Sequence, residues 1–143
     1  LSINEEGCPP VEYRSDLEDF LGKTMLFLND QAGSSFCDEF PMLFDKTMKA
    51  CSTILGAGCF RLPKKGDGPR RPISMALFET VSYMMFELID LSQNNAGSIK
   101  RKLSILLSDN DFVDSIAYIV DSNKSVKKRF EFIETIIQEI RNA

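Results

Sequence analysis

Histidine and tryptophan are both absent from the 143 residues. Without histidine the chain has no Ser-His-Asp or Cys-His nucleophile system, no HNH-type nuclease centre and no histidine-ligated metal site. Cysteine is scarce, and Cys8, Cys37, Cys51 and Cys59 form no CxxC pair and no disulfide-dense spacing. That usage predicts reduced thiols in a cytoplasmic protein rather than a zinc centre. Long apolar runs are missing as well. The most apolar stretch, Met75 to Leu91, is interrupted by Glu79, Glu87 and Asp90, so it reads as a core helix and not as a membrane span. Leu1 to Tyr13 begins without methionine and carries Glu5, Glu6, Pro9 and Pro10, the reverse of a basic-then-apolar secretion signal. The expectation is an excised fragment of a longer chain, or a processed product.

What is present is the material of one folded domain. A chain of this length buries roughly two-thirds of its unfolded surface, and 43% hydrophobic with 27% charged residues is an ordinary globular composition. The net charge of −4 is unevenly spread. Residues 1–45 hold ten acids and two bases, a net of −8, whereas residues 46–143 hold eleven acids and fifteen bases, a net of +4. Bases cluster at Arg61, Lys64, Lys65, Arg70 and Arg71, at Lys100 to Lys102, and at Lys124, Lys127, Lys128 and Arg129. Such clusters meet phosphates or an acidic surface, or they answer the acidic first third within the fold.

Nearly every apolar segment follows the helical period. The sequence therefore predicts an all-α fold, an irregular bundle of about six helices around a central apolar helix at about 74–91, with a long basic loop over 56–72. Residues 1–14 read as an acidic, Pro-containing arm, and 15–143 as a single helical domain. Ser15 with Glu18 is a capping-box signature for a helix burying Leu17, Phe20, Leu21, Thr24 and Leu28, which ends in a turn around Gly33. A second helix spans about 38–55, with Pro41 in its first turn, Gly56 as its left-handed stop, and Phe40, Leu43, Phe44, Thr47, Met48, Cys51 and Leu55 inward. The breakers from Gly56 to Pro72 impose a loop. Ser74 opens the central helix, whose Met75, Leu77, Phe78, Val81, Met84, Met85, Leu88 and Ile89 cover most of its circumference. A shorter helix carries Ile99, Leu103, Leu106 and Leu107. Asp109 caps the next, with Phe112, Val113, Ile116 and Val120 inward. The last, about 125–141, repeats Val126, Phe130, Ile133, Ile137 and Ile140 on one face.

Local motifs for chemistry fail one by one. Gly22-Lys23-Thr24 is the tail of a P-loop without its first glycine, since Leu17 stands there. Gly56-Ala57-Gly58 lacks the strand and the third glycine of a dinucleotide cradle. Asp109, Asp111 and Asp114 serve a helix start better than a metal. No cofactor is expected. Two physical readings of the bases stay open. Arg61 or Arg129 can fork onto the Glu79 carboxylate and fix how loop or last helix meets the central helix. Alternatively, Arg61, Lys64, Lys65, Arg70, Arg71, Lys127 and Lys128 form a phosphate-binding surface.

The order Phe60-Arg61, Arg70-Arg71-Pro72-Ile73-Ser74, Ala76-Leu77-Phe78-Glu79, then Asp109 with Phe112, a Ser122-Asn123 turn, and Val126 with Arg129-Phe130 resembles a known family. It is similar to the C-terminal all-helical region of the DGQQR-motif, ParB/sulfiredoxin-like group that includes GmrSD-type modification-dependent restriction proteins. The resemblance spans about Leu43 to Ile140. It implies a bacterial restriction or phage-defence protein of which this is a noncatalytic helical interaction module. Its partner would be the family's N-terminal domain or another subunit, and any nuclease or nucleotide-hydrolysing activity would lie in that domain. Neither the DGQQR motif nor an HNH centre occurs in this chain, so no catalytic residue carries over. The alternative expectation is a nucleic-acid-binding helical domain, and neither reading calls for a membrane.

Overall fold

The structure, a computed structural model, describes residues 12–30, 35–64 and 66–143. Among the described residues there are six α-helices and no strand: α1 Leu17–Asp30, α2 Ser35–Ala50, α3 Met75–Glu87, α4 Ala96–Leu106, α5 Asn110–Ala117 and α6 Asn123–Arg141. The all-α fold expected from periodicity is the fold observed. None of the helices is long and apolar enough to cross a membrane. Most of the arm expected at 1–14, the turn around Gly33, and Cys8 lie outside the described residues.

Four helices begin at an oxygen the sequence supplies. Asp16 Oδ1 accepts from Asp19 N at 2.9 Å, Ser74 Oγ from Leu77 N at 3.3 Å, Asp109 Oδ1 from Phe112 N at 2.9 Å, and Ser122 Oγ from Ser125 N at 3.1 Å. Each bond satisfies one amide that the first helical turn leaves without a partner.

The core is built around α3, which buries Ala76, Leu77, Thr80, Val81, Met84 and Met85 and touches both α2 and α6. Ile133, Ile136, Ile137 and Ile140 of α6, Phe112 and Ile116 of α5, and Ile99, Leu103 and Leu106 of α4 complete it. Each fully buried aliphatic or aromatic side chain of this set contributes about 1.5–3 kcal/mol. Thr80 keeps its hydroxyl satisfied by donating to Ala76 O at 2.7 Å, which lets a polar atom sit in an apolar wall.

Several local expectations are corrected. Asp16, not Ser15, caps α1, because Ser15 takes a left-handed φ of 60° and its Oγ accepts instead from Asn123 N at 2.8 Å. With α2 starting at Ser35, Pro41 falls beyond the first turn. There it removes one amide donor from the helical ladder. The single helix expected to Leu55 changes from α to a π turn at Cys51–Leu55. Gly56 then stops it with φ 81°, a conformation that costs a residue without Cβ little, and donates to Ser52 O at 3.0 Å. The central helix ends at Glu87, four residues early, in a tighter turn where Ile89 N donates to Phe86 O. Likewise α5 stops at Ala117, since Tyr118 is extended and Ile119 has φ 44°.

The largest correction concerns the first two helices. No residue of α1 is buried, and Leu17, Leu21, Met25 and Leu26 are 47%, 49%, 64% and 67% exposed. On α2, Thr47 and Cys51 reach the core as expected, whereas Phe40 and Phe44 stay about half exposed and stack on each other at 6.3 Å. Helical periodicity identifies an apolar stripe, but it does not say that the same chain covers it.

Candidate functional site

The loop arginines are drawn into the fold. Arg61 donates through Nη1 to the Arg71 carbonyl, and Arg70 donates through Nη2 to the Ala57 carbonyl. With Ser74 N bonded to Phe60 O at 2.9 Å and the Phe60 and Phe78 rings edge to face at 5.0 Å, these bonds hold the 56–72 loop against the start of α3. Lys128 pairs with Asp111 at 2.8 Å, and Lys127 approaches Glu131 at 3.9 Å. Lys65 lies outside the described residues. The cations expected to form one phosphate-binding surface are therefore divided: Arg61, Arg70 and Lys128 are engaged within the chain, while Lys64, Arg71 and Lys127 are left more open.

Arg129 is a different case. It is 4% exposed, its Nη2 donates to Glu79 Oε2 at 2.6 Å, and its Nη1 donates to Val120 O at 2.5 Å. Its Nε, also buried, has no partner among the described residues. Of the two arginines considered for Glu79, Arg129 makes the contact and Arg61 is held elsewhere. The segment before α1 closes nearby, with Tyr13 OH donating to Asp121 O at 2.6 Å. Desolvation, then the Asp121 carboxylate, raises the Tyr13 hydroxyl above its ordinary pKa, against a lowering pull from Arg129. Tyr13 and Ser15 thus tether the N-terminal segment to the α5–α6 turn.

Outside this knot, two surfaces stand out. The first is the apolar stripe of α1, Leu17, Leu21, Met25 and Leu26, on a helix that also exposes Glu18 and Asp19. The second is a groove of about 530 Å³ between α2, the π turn and α4. Ala50, Ile54 and Ile89 form its aliphatic floor, and Lys46, Lys49 and Lys100 line it too. Lys49 pairs with Asp45 at 2.6 Å and Lys46 with Asp90 at 3.4 Å, while Lys100 has no partner among the described residues. Asn95 provides no side-chain cap to α4, so the positive end of that helix adds to the field at Ala96 and Gly97.

Groups suited to covalent chemistry are muted. Burial pushes the Cys51 thiol up to about 12, and burial also raises Cys59. Tyr83 donates to Glu134 Oε1, and desolvation followed by that carboxylate raises its hydroxyl. Among the described residues no three Cys, Asp or Glu side chains come together as a metal site. Sequence reasoning, on residues the resemblance singled out, offered Arg61 or Arg129 as the partner of Glu79 without choosing between them, and it missed the lysine-lined groove. Lys46 and Lys49 are one helical turn apart, but Lys100 lies far along the chain, so the three do not read as one cluster. No family model matches the chain, and no curated protein or solved structure does.

Proposed function

We propose that this chain is a noncatalytic helical interaction module that docks through the exposed apolar stripe of α1. One observation carries the reading: α1 is amphipathic, yet none of its residues is buried. A helix of 14 residues is marginal alone in water, because nucleation is costly and few hydrogen bonds repay it. Exposed large apolar side chains repeated along one helix face mark a candidate interaction site. The acids around the stripe favour a partner surface that is apolar with a basic rim. The free Cys51 and Cys59 thiols fit a cytoplasmic place. The sequence resemblance alone carries the further reading that the module serves a bacterial restriction or phage-defence protein. In that setting its partner is an N-terminal domain or another subunit. Nucleic-acid binding has less support, since Arg61, Arg70, Lys128 and Arg129 are already engaged.

A photo-crosslinking residue placed at Leu21 or Met25 in source cells tests the reading, with Gln138 on α6 as the exposed control. The expected result is a defined protein adduct from both α1 positions and none from the control. Absence of an adduct at either α1 position above the control level overturns it, as does nucleotide or nucleic-acid turnover abolished by a point substitution in this chain.

A further inference from the structure

The charge of the chain is self-complementary: −8 over residues 1–45 and +4 over residues 46–143. Two copies therefore attract head to tail and repel head to head. The contact surfaces repeat this polarity. On α1, Leu17, Leu21 and Met25 recur every four residues, with Glu18 beside them and Asp16 and Asp30 at the ends. The groove between α2 and α4 offers the converse, an aliphatic lining with Lys100 unpaired among the described residues and with Lys46 and Lys49 beside it, whose exposed pairs with Asp90 and Asp45 an incoming carboxylate would have to compete with. Its lining contains no aromatic ring, so it suits aliphatic knobs better than a stacked base. A Cβ added at Gly97 would meet nothing within 4 Å, which leaves the α4 wall of the groove open.

We propose that α1 of one copy docks into the Lys46, Lys49 and Lys100 groove of a second copy. The proposal rests on the reading of α1 as the docking surface and names its partner. An amphipathic helix laid in an apolar groove buries the stripe that its own chain leaves in water, and Glu18 meets the lysines and the positive start of α4. The two surfaces are different patches of one chain, so the contact is heterologous. It closes into a ring or continues as a filament.

Sedimentation velocity of the full chain, at loading concentrations up to about 100 μM and at low and high salt, reads the contact. The expected result is concentration-dependent association that weakens with salt. The double variants Leu21→Ser/Met25→Ser and Gly97→Glu/Lys100→Glu alter exposed positions only, and circular dichroism checks that each keeps its fold. Each variant alone is expected to associate at least about tenfold more weakly than the unaltered chain. Their mixture forms a one-to-one heterodimer, because one brings an intact groove and the other an intact α1. An unaltered chain that stays monomeric, variants that associate undiminished, or a mixture without heterodimer overturns the proposal. If the unaltered chain is monomeric while Leu21 still crosslinks to a different protein, self-docking fails and the interaction-module reading stands. If Leu21 also crosslinks to nothing, both fail.

Discussion

Arg129 on α6 and Glu79 on α3 meet through a 2.6 Å contact across fifty positions of sequence. The guanidinium is buried and the carboxylate side chain is 46% exposed, so one partner is desolvated and the other still reaches water. The second arm of Arg129 on the Val120 carbonyl adds the α5–α6 turn to the same junction. One side chain thereby joins three parts of the fold. It does so as a planar fork, which a lysine cannot reproduce.

Removing the carboxylate should cost more than its surface position suggests. Glu79→Ala leaves a buried guanidinium short of an anion, and we expect a loss of about 2 kcal/mol. Arg129→Met strands Val120 O but leaves Glu79 free to hydrate. The double variant should lose less than the sum of the singles, which urea unfolding of all four proteins measures. Additive losses would remove the pair from the structural account.

The Asp109 cap gives a cleaner local test. Its Oδ1 accepts from Phe112 N at 2.9 Å, and Phe112 is fully buried. Asp109→Ala is expected to destabilise by about 1 kcal/mol, whereas Asp109→Asn or Ser should retain most of that. A thermal melt showing equal losses for Ala and Asn would assign Asp109 a role other than capping.

The regular parts of the fold were legible because their signals are local. Ser74 and Asp109 sit where capping oxygens are needed, and Ile133, Ile137 and Ile140 repeat at helical spacing, whereas Ser122, read as part of a turn, caps a last helix that starts two residues earlier than expected. Some of the misreadings depended on a distant contact, others on a local change of backbone conformation that side-chain periodicity does not report. Ser15 was taken from α1 by Asn123, across 108 positions, and Asp16 took over the cap. Phe40 and Phe44 have the right period for burial, yet each stays about half exposed. The π turn at Cys51–Leu55 has no local signature, and the groove beside it is assembled from Lys46, Lys49 and Lys100 only after α2 and α4 are brought together.

Cys51 provides a pH-dependent prediction. Its thiol is fully buried and holds its proton up to about 12, against an ordinary value near 9.0. Above pH 9 the unfolded chain loses this proton while the folded chain keeps it, so stability falls as pH rises towards 12. The slope is about 1.4 kcal/mol per pH unit for this group alone. Replacing it with alanine or serine creates a cavity or buries a hydroxyl, so the comparison is of slopes rather than of absolute stability. In the folded state at pH 8, alkylation followed by peptide mass spectrometry should label Cys59 before Cys51.

Tyr13 tests how loosely α1 is held. Among the described residues, the hydroxyl of Tyr13 on Asp121 O and the Asn123 amide on Ser15 Oγ tie its leading segment to the α5–α6 turn. Tyr13→Phe removes one of them at an exposed site and should cost about 0.5–1 kcal/mol locally. Amide exchange in α1 should quicken severalfold while exchange in α3 and α6 stays unchanged, because α1 contributes nothing buried. Equal acceleration in α3 would mean that α1 belongs to the global unfolding unit.

The loop arginines separate a structural role from a nucleic-acid role. Arg61 and Arg70 are expended on the Arg71 and Ala57 carbonyls, and Lys128 on Asp111. Among the described residues that leaves the exposed Lys64, Lys124 and Lys127 and the half-buried Arg71, and Lys65 lies outside them. Each neutralised phosphate contributes a log-log salt slope of about −0.9. Even with Lys65 counted, any duplex binding at low salt should therefore show a slope no steeper than about −4.5. Arg61→Ala should lower the melting temperature by loosening the 56–72 loop and leave that slope unchanged. Arg70→Glu should do the same. A steeper slope that flattens when Arg61 or Arg70 is replaced would mean that the arginines leave their carbonyls for phosphate, and the basic loop would then be the chain's working surface in place of α1.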